Sequence, residues 1–94
     1  MSFNKLHFVL GCVNDKDIDG ILNLLPKYAT YYFCKANLPR GLDANILAEK
    51  AFIAGLRGNV YESVQNAYRS ALNNANFNDV VFVGGSNFTV AEII

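Results

Sequence analysis

Two stretches of this sequence, residues 5–13 and 79–83, are almost continuously apolar and do not alternate between apolar and polar side chains. Strands of this kind are buried on both faces, which is typical of parallel strands covered by helices on either side of a sheet. Residues 29–35 and the short stretch 59–61 also have the composition of strands. The chain is therefore predicted to contribute four strands to a parallel sheet.

Apolar residues at helical spacing fill the intervals between these strands, and the predicted helices cover residues 17–25, 43–56, 63–75 and 89–94. Asp43 and Ser63 are the expected N-caps, whereas Pro26 ends the first helix and Gly58 follows the second. The buried faces are expected to consist of Ile18, Ile21, Leu22 and Leu25 in the first helix, Ile46, Leu47, Ala51 and Ala54 in the second, and Val64, Ala67, Tyr68, Ala71 and Leu72 in the third.

The order β-α-β-α-β-α-β-α predicts an α/β fold, a three-layer α/β/α Rossmann-like arrangement around a mostly parallel sheet. Its 94 residues are enough for one domain, residues 1–94, and no linker interrupts it. The chain starts a few residues before a buried type of strand and stops within an apolar helical pattern. Four strands are also fewer than the ~5–6 of a typical sheet. We therefore expect part of a longer protein, truncated on the N-terminal side.

Charge and composition exclude several classes of function. Eight basic residues balance eight acidic ones, so the chain lacks the positive excess on which nucleic-acid binding depends. No apolar run reaches the ~18–20 residues that span a membrane, and no signal peptide precedes the first strand. Cys12 and Cys34 lie in apolar runs, which indicates free buried thiols and a cytoplasmic location. One His and two Cys at these spacings predict no metal site.

Polar loops follow three of the predicted strands, at residues 14–17, 35–43 and 84–87. Ligands of open parallel sheets bind beyond the carboxyl ends of the strands, where these loops would meet. Lys16 and Arg40 would supply positive charge there, with Lys35 at the margin, and helix N-termini would add to it. The pattern indicates a site for a carboxylate or a phosphate.

Simpler explanations of the same residues remain open. Asp15 or Asp17 can cap the first helix with Lys16 solvated beside it, and Arg40 can be a surface charge in a turn. Gly84, Gly85 and Ser86 form a tight turn in which Ser86 can be an N-cap. That turn is neither a phosphate loop nor a dinucleotide fingerprint.

Two other kinds of site are disfavoured. His7 lies within the first strand, and its spacing to Ser and Cys residues provides no partner for nucleophilic catalysis. A phospho-receiver domain requires an Asp at the end of the third strand, where Tyr61, Glu62 and Ser63 stand instead.

The three loops carry a resemblance to a known family. Residues 9–22 (VLGCVNDKDIDGIL) resemble the strand and Asp-Lys-Asp loop of folylpolyglutamate synthases and bifunctional dihydrofolate synthases, members of the Mur ligase superfamily. Residues 35–44 (KANLPRGLDA) resemble the family's Pro-Arg segment, and residues 81–92 (VFVGGSNFTVAE) resemble its closing strand and Gly-Ser turn. Each motif is moderately specific, and the resemblance depends on all three occurring in order.

The resemblance implies the C-terminal domain of an ATP-dependent ligase that joins glutamate to a folate or dihydropteroate carboxylate through an acyl phosphate, with magnesium. It implies that Lys16 and Ser86 contact a glutamate carboxylate, that Arg40 lines the substrate side or a domain interface, and that no residue here is catalytic. The supporting loop residues would be Asp15, Asp17, Gly84 and Gly85.

The family's phosphate loop and its Asp-Gly-Ala-His-Asn-Pro type motif are missing from this sequence. We therefore expect an N-terminal ATPase domain as partner, ATP and Mg bound mainly there, and no activity from this chain alone. An exposed strand edge would also favour self-association. The alternatives are a stand-alone α/β module that binds a small molecule or regulates, and a structural interaction domain.

Overall fold

The computed structural model describes residues 5–13, 17–37 and 41–84. Strands and helices alternate through this part of the chain, as predicted. The elements are β1 (Leu6–Leu10), α1 (Ile18–Leu24), β2 (Thr30–Phe33), α2 (Ala44–Ile53), β3 (Arg57–Val60), α3 (Val64–Asn74) and β4 (Val80–Gly84). The predicted helix at residues 89–94 lies outside the described residues.

All four strands are parallel and lie in the order β3-β2-β1-β4. His7 pairs with Thr30 of β2 on one side and with Val81 of β4 on the other, which places β1 between two neighbours. The continuous apolar pattern of β1 is explained by this position, because a central strand is covered on both faces. The predicted α/β class and the parallel sheet are confirmed.

Helices cover both faces of the sheet and create two separate apolar clusters. The cluster on one face joins α1 and α2 to β1 and β2 through residues such as Leu22, Leu47 and Tyr31. The other cluster joins α3 to the same strands through Val9, Tyr32, Val64, Ala67 and Ala71. Two layers of helix enclosing one sheet confirm the three-layer arrangement.

The prediction that residues 79–83 form a strand buried on both faces is wrong. β4 is the last strand on its side of the described sheet, and its residues are half-buried. Phe82 is 52% exposed, although its ring packs 4.9 Å from the ring of Phe8. A continuous apolar run therefore marks β4 as a strand without revealing that it has a single described neighbour.

The second helix and third strand differ from their predicted limits. α2 ends at Ile53, before the predicted end at residue 56, because Gly55 adopts a positive φ of 91° that terminates the helix. The chain is then free to start β3 at Arg57, two residues earlier than predicted. Gly58 consequently lies inside the strand and does not follow a helix.

Two predicted core residues face solvent. Ile46 of α2 and Leu72 of α3 are 45% and 49% exposed, whereas the small residues Ala44, Ala51 and Ala67 are buried. Alanines allow the helices to approach the sheet closely, so the buried face of each helix is narrower than its apolar residues predict.

The predicted N-caps of the second and third helices are confirmed. The Asp43 carboxylate accepts hydrogen bonds from the backbone N–H groups of Asn45 and Ile46, at 3.0 and 3.2 Å. The Ser63 hydroxyl oxygen accepts one from Asn66 at 3.0 Å. These bonds satisfy N–H groups that have no partner within a helix, and they fix where α2 and α3 begin.

Candidate functional site

Backbone hydrogen bonds join the described ends of the three polar loops at the carboxyl edge of the sheet. The N–H of Gly11, just after β1, donates to the carbonyl of Gly84 at the end of β4, at 3.3 Å. The N–H of Leu42 donates to the carbonyl of Cys12 at 2.8 Å, and Val13 forms an isolated antiparallel bridge with Gly41. The three loops predicted to form one site therefore start or end at adjoining positions of the fold.

Five of the seven predicted site residues, Asp15, Lys16, Arg40, Gly85 and Ser86, lie outside the described residues. Their binding roles remain predictions. The structure describes the chain on both sides of residues 14–16 and of residues 38–40, and it describes Gly84 immediately before Gly85.

Asp17 caps α1, as one reading of the sequence predicted. Its Oδ1 accepts a hydrogen bond from the backbone N–H of Gly20 at 3.1 Å. A Cβ atom on Gly20 would come within 2.3 Å of Asp17 Oδ2, so glycine leaves the space that the carboxylate occupies. The cap fixes where α1 begins.

A cavity of about 270 Å³ lies at the carboxyl ends of β2 and β3. Lys35 enters it from the segment after β2, and Glu62 from the segment after β3. The remaining lining residues are Asp43, Ala44, Asn45, Val60 and Tyr61. The cavity therefore has one cation, Lys35, beside the acidic residues Asp43 and Glu62, in surroundings suited to a ligand that carries charges of both signs.

The thiol nearest to this edge is unsuited to nucleophilic chemistry. Cys12 is buried after β1, and burial raises the pKa of its thiol to about 11. Cys34 is also buried, and its Sγ donates to the carbonyl of Leu10 at 3.5 Å. Both cysteines are free, as the sequence predicted. A protonated, enclosed thiol is a packing residue, because only the thiolate attacks electrophiles or binds metals.

We expect neither cysteine of the folded chain to react with a thiol reagent such as DTNB at pH 8. Burial hinders access, and the raised pKa of Cys12 leaves it almost entirely protonated at that pH. In urea both thiols should react at the rate of a free cysteine, at least ~100-fold faster. Rapid release of one equivalent of chromophore from the folded protein would contradict this expectation.

Within residues 5–13, 17–37 and 41–84, no three His, Cys, Asp or Glu side chains are grouped to hold a metal ion. The whole sequence also lacks the G-x-x-x-x-G-K-[ST] pattern of a nucleotide phosphate loop. In the described part of the chain, no helix has the length and apolar character needed to cross a membrane.

A buried polar network at the opposite, amino edge of the sheet was not predicted from the sequence. His7 Nε2 lies 2.8 Å from Asp79 Oδ2, and His7 Nδ1 lies 2.8 Å from the Tyr32 hydroxyl. The oxygen of that hydroxyl accepts a hydrogen bond from Asn74 Nδ2 at 3.2 Å. Asp79 Oδ2 accepts a second hydrogen bond from the backbone N–H of Asn76 at 2.9 Å.

Protonation in this network follows from the chemistry of its members. Hydrogen bonds from Asn76 and His7 hold the pKa of the Asp79 carboxyl below its usual 3.8, so it is ionised at neutral pH and can only accept. His7 Nε2 must therefore carry a proton. One signal was available in the sequence, because a histidine within a buried strand requires a polar partner. The partner stands 72 residues away, and only the pairing of β1 with β4 reveals it.

The chain is similar to known proteins in both sequence and fold. A family model described as Mur ligase, glutamate ligase domain, matches residues 1–87. The chain is 36% identical over 93 residues to a probable bifunctional folylpolyglutamate synthase/dihydropteroate synthase of Haloferax volcanii, covering 96% of this chain and 11% of the relative. It is 34% identical over 87 residues to the dihydrofolate synthase/folylpolyglutamate synthase of Escherichia coli, covering 92% of this chain and 20% of the relative.

Solved structures share the fold. E. coli FolC in complex with DHPP and ADP superimposes with a TM-score of 0.88 at 32% identity, over 99% of this chain and 22% of that one. The bifunctional folylpolyglutamate synthase/dihydrofolate synthase of Yersinia pestis, complexed with AMPPNP and Mn ion, gives a TM-score of 0.84 at 36% identity. This match covers 95% of this chain and 21% of that one. The chain thus spans between a tenth and a quarter of the length of these proteins. Because the family model covers most of the sequence and the same α/β/α fold recurs in these structures, the chain belongs to the Mur ligase family as its glutamate ligase domain.

Proposed function

We propose that this chain is the glutamate-binding C-terminal domain of an ATP-dependent ligase that adds glutamate to folate or dihydropteroate. One observation carries the proposal: the described ends of the three family-like loops are hydrogen-bonded to one another at one edge of the sheet. This supports a common location for motifs that are far apart in the sequence. The curated relatives, of which this chain covers only 11% and 20%, are both named as folylpolyglutamate synthases.

Glutamate presents two carboxylates and one amine, and a ligase must hold the carboxylates while the amine stays free to attack. Lys16 supplies a cation for one carboxylate in this proposal, and Ser86 supplies a hydroxyl donor. Arg40 lines the substrate side or the interface with the rest of the enzyme. Asp15, Gly84 and Gly85 complete the loops, and Asp17 anchors the first of them by capping α1.

The described residues of this chain do not fit the nucleotide and its metal. The sequence lacks a phosphate loop, and the described residues offer no metal-holding cluster. We therefore place ATP and magnesium, together with most folate contacts, in an N-terminal ATPase domain, and we expect the isolated chain to show no folate-dependent ATP turnover. The two free buried thiols suit the reducing cytoplasm in which such an enzyme would act.

Lys16→Ala and Ser86→Ala in the whole enzyme test the proposed glutamate contacts. A hydrogen bond to a charged group is worth ~1.5–3 kcal/mol, so each change should raise the KM for glutamate by about 10- to 100-fold. The KM for ATP should stay within about twofold. Lys50→Ala is the matched control, since Lys50 contacts only the exposed Asp19 at 3.6 Å among the ion pairs of the described residues.

Unchanged glutamate KM values in both variants would remove these residues from the site. Folate-dependent ATP turnover by the purified chain would overturn the division of labour between the two domains. Glutamate binding to the isolated chain without any ligase activity from the whole protein would instead support a stand-alone binding module.

A further inference from the structure

The outer side of β3 presents an open hydrogen-bonding edge. All four of its residues are exposed, and β2 is its one neighbour in the described sheet. The N–H of Tyr61 donates to the carbonyl of Phe33 at 2.8 Å, which shows that odd-numbered residues of this segment direct their backbone groups toward β2. Gly58 and Val60 therefore direct their N–H and C=O groups outward.

A groove runs beside this edge on the α2 face of the sheet. It encloses about 420 Å³ between α2 and β3. The guanidinium of Arg57 lies 4.4 Å from the centre of the Phe52 ring at its rim. The other lining residues are Phe33, Asn45, Ala48, Glu49, Leu56 and Gly58. Gly58 contributes no side chain, so the groove continues to the strand edge.

We propose that β3 pairs antiparallel with β3 of a second copy of this chain, about a two-fold axis at Asn59. In this register Gly58 of each copy lies opposite Val60 of the other, and the outward groups of these residues form four backbone hydrogen bonds. A two-fold axis perpendicular to the sheet keeps every side chain on its own face of the sheet. The sequence positions of two residues that lie opposite one another must therefore differ by an even number. Of the registers this permits, the one centred on Asn59 engages both outward-facing residues.

Side chains are complementary in the same register. Val60, 40% exposed, lies opposite Gly58 of the second copy, which has no side chain to oppose it. Arg57 begins β3 and Glu62 follows its end, so antiparallel pairing brings the basic end of each strand toward the acidic end of the other. The chain has no net charge, so long-range repulsion between copies is absent.

β4 is the other edge of the described sheet, and it is a less open one. Its residues apart from Phe82 are half-buried, whereas β3 is exposed throughout. These observations favour β3 as the pairing edge.

Cysteine cross-linking tests the register directly. Residues on the two-fold axis form a non-hydrogen-bonded pair with Cα atoms ~4.5 Å apart, a separation that a disulfide spans. Asn59→Cys should therefore form a covalent dimer under mild oxidation at least about tenfold faster than Phe77→Cys, whose side chain is 99% exposed but distant from β3 in the sheet. Cross-linking of Asn59→Cys no faster than this control would overturn the proposal. Faster cross-linking of Phe82→Cys would overturn it as well, because the copies would then meet through β4.

Sedimentation equilibrium provides an independent measurement on the unmodified chain. A concentration-dependent dimer is expected, and Val60→Lys should weaken its association by about tenfold or more. Leu24→Lys is the control, since Leu24 is 86% exposed at the end of α1 and lies away from β3. Circular dichroism would verify that both variants are folded. A wild-type chain that stays monomeric at millimolar concentration, or a Leu24→Lys loss equal to that of Val60→Lys, would refute the pairing.

Discussion

Gly58→Ala is expected to lower the free energy of unfolding by about 3 kcal/mol, the upper part of the range for overpacked positions. A Cβ atom on Gly58 would lie 1.9 Å from the backbone carbonyl oxygen of Tyr31 and 2.8 Å from the Tyr31 Cβ. These atoms belong to the neighbouring strand and cannot move aside as a flexible side chain can. β3 would have to separate from β2, at the expense of their hydrogen bonds.

Urea denaturation at low protein concentration measures this effect. Asn59→Ala is the matched control, because Asn59 is the next residue of the same strand and is exposed. Its free energy of unfolding should change by less than about 0.5 kcal/mol. If Gly58→Ala were as stable as Asn59→Ala, the close approach of β3 to β2 would not be a property of the folded chain.

The second large effect is a change in the pH dependence of stability in Asp79→Asn. The Asp79 carboxyl has a pKa below 3.8 in the folded chain, first because Asn76 N–H and then because His7 donates to it. On acidification the unfolded chain therefore takes up this proton before the folded chain does. The contribution of Asp79 to stability is complete above about pH 4 and is lost as the pH falls through the lowered folded pKa.

Asp79→Asn should thus be less stable than wild type at pH 7, and the difference should shrink as the pH approaches 3. In that range the slopes of unfolding free energy against pH should differ between the two proteins by an amount that corresponds to at most about one bound proton. Asp19→Asn is the control, since its side chain is 71% exposed and lies 3.6 Å from Lys50 Nζ at the surface. A constant difference between Asp79→Asn and wild type across this range would show that Asp79 titrates alike in both states.

The order of elements can be predicted from the sequence because the local signals agree with one another. Continuous apolar runs, helical spacing and the caps Asp43 and Ser63 all indicate the same α/β alternation. The position of a strand within the sheet cannot be predicted from these local signals, because it depends on pairing between distant segments. β1 and β4 have similar composition, yet β1 is central and β4 lies at the border of the described sheet.

The carboxyl-edge site is predictable in outline for a similar reason. Parallel strands bring their carboxyl ends together whatever the loops contain, so polar loops after three strands indicate one location. The contacts among Gly11, Gly84, Leu42 and Cys12 cannot be predicted in the same way, because backbone groups are identical in every residue. The His7–Asp79 pair also depends on the pairing of distant strands. The sequence indicates only that a histidine in a buried strand requires a polar partner, and it does not identify Asp79.

The joined loop ends at the carboxyl edge bear on how such a domain changes over evolutionary time. Main-chain atoms alone make the bonds from Gly11 to Gly84 and from Leu42 to Cys12. Substitution of the intervening loop residues leaves those bonds in place, provided that the loop lengths are kept. Ligand preference can therefore diverge between descendants by exchange of a few side chains, while the scaffold that presents them is inherited unchanged.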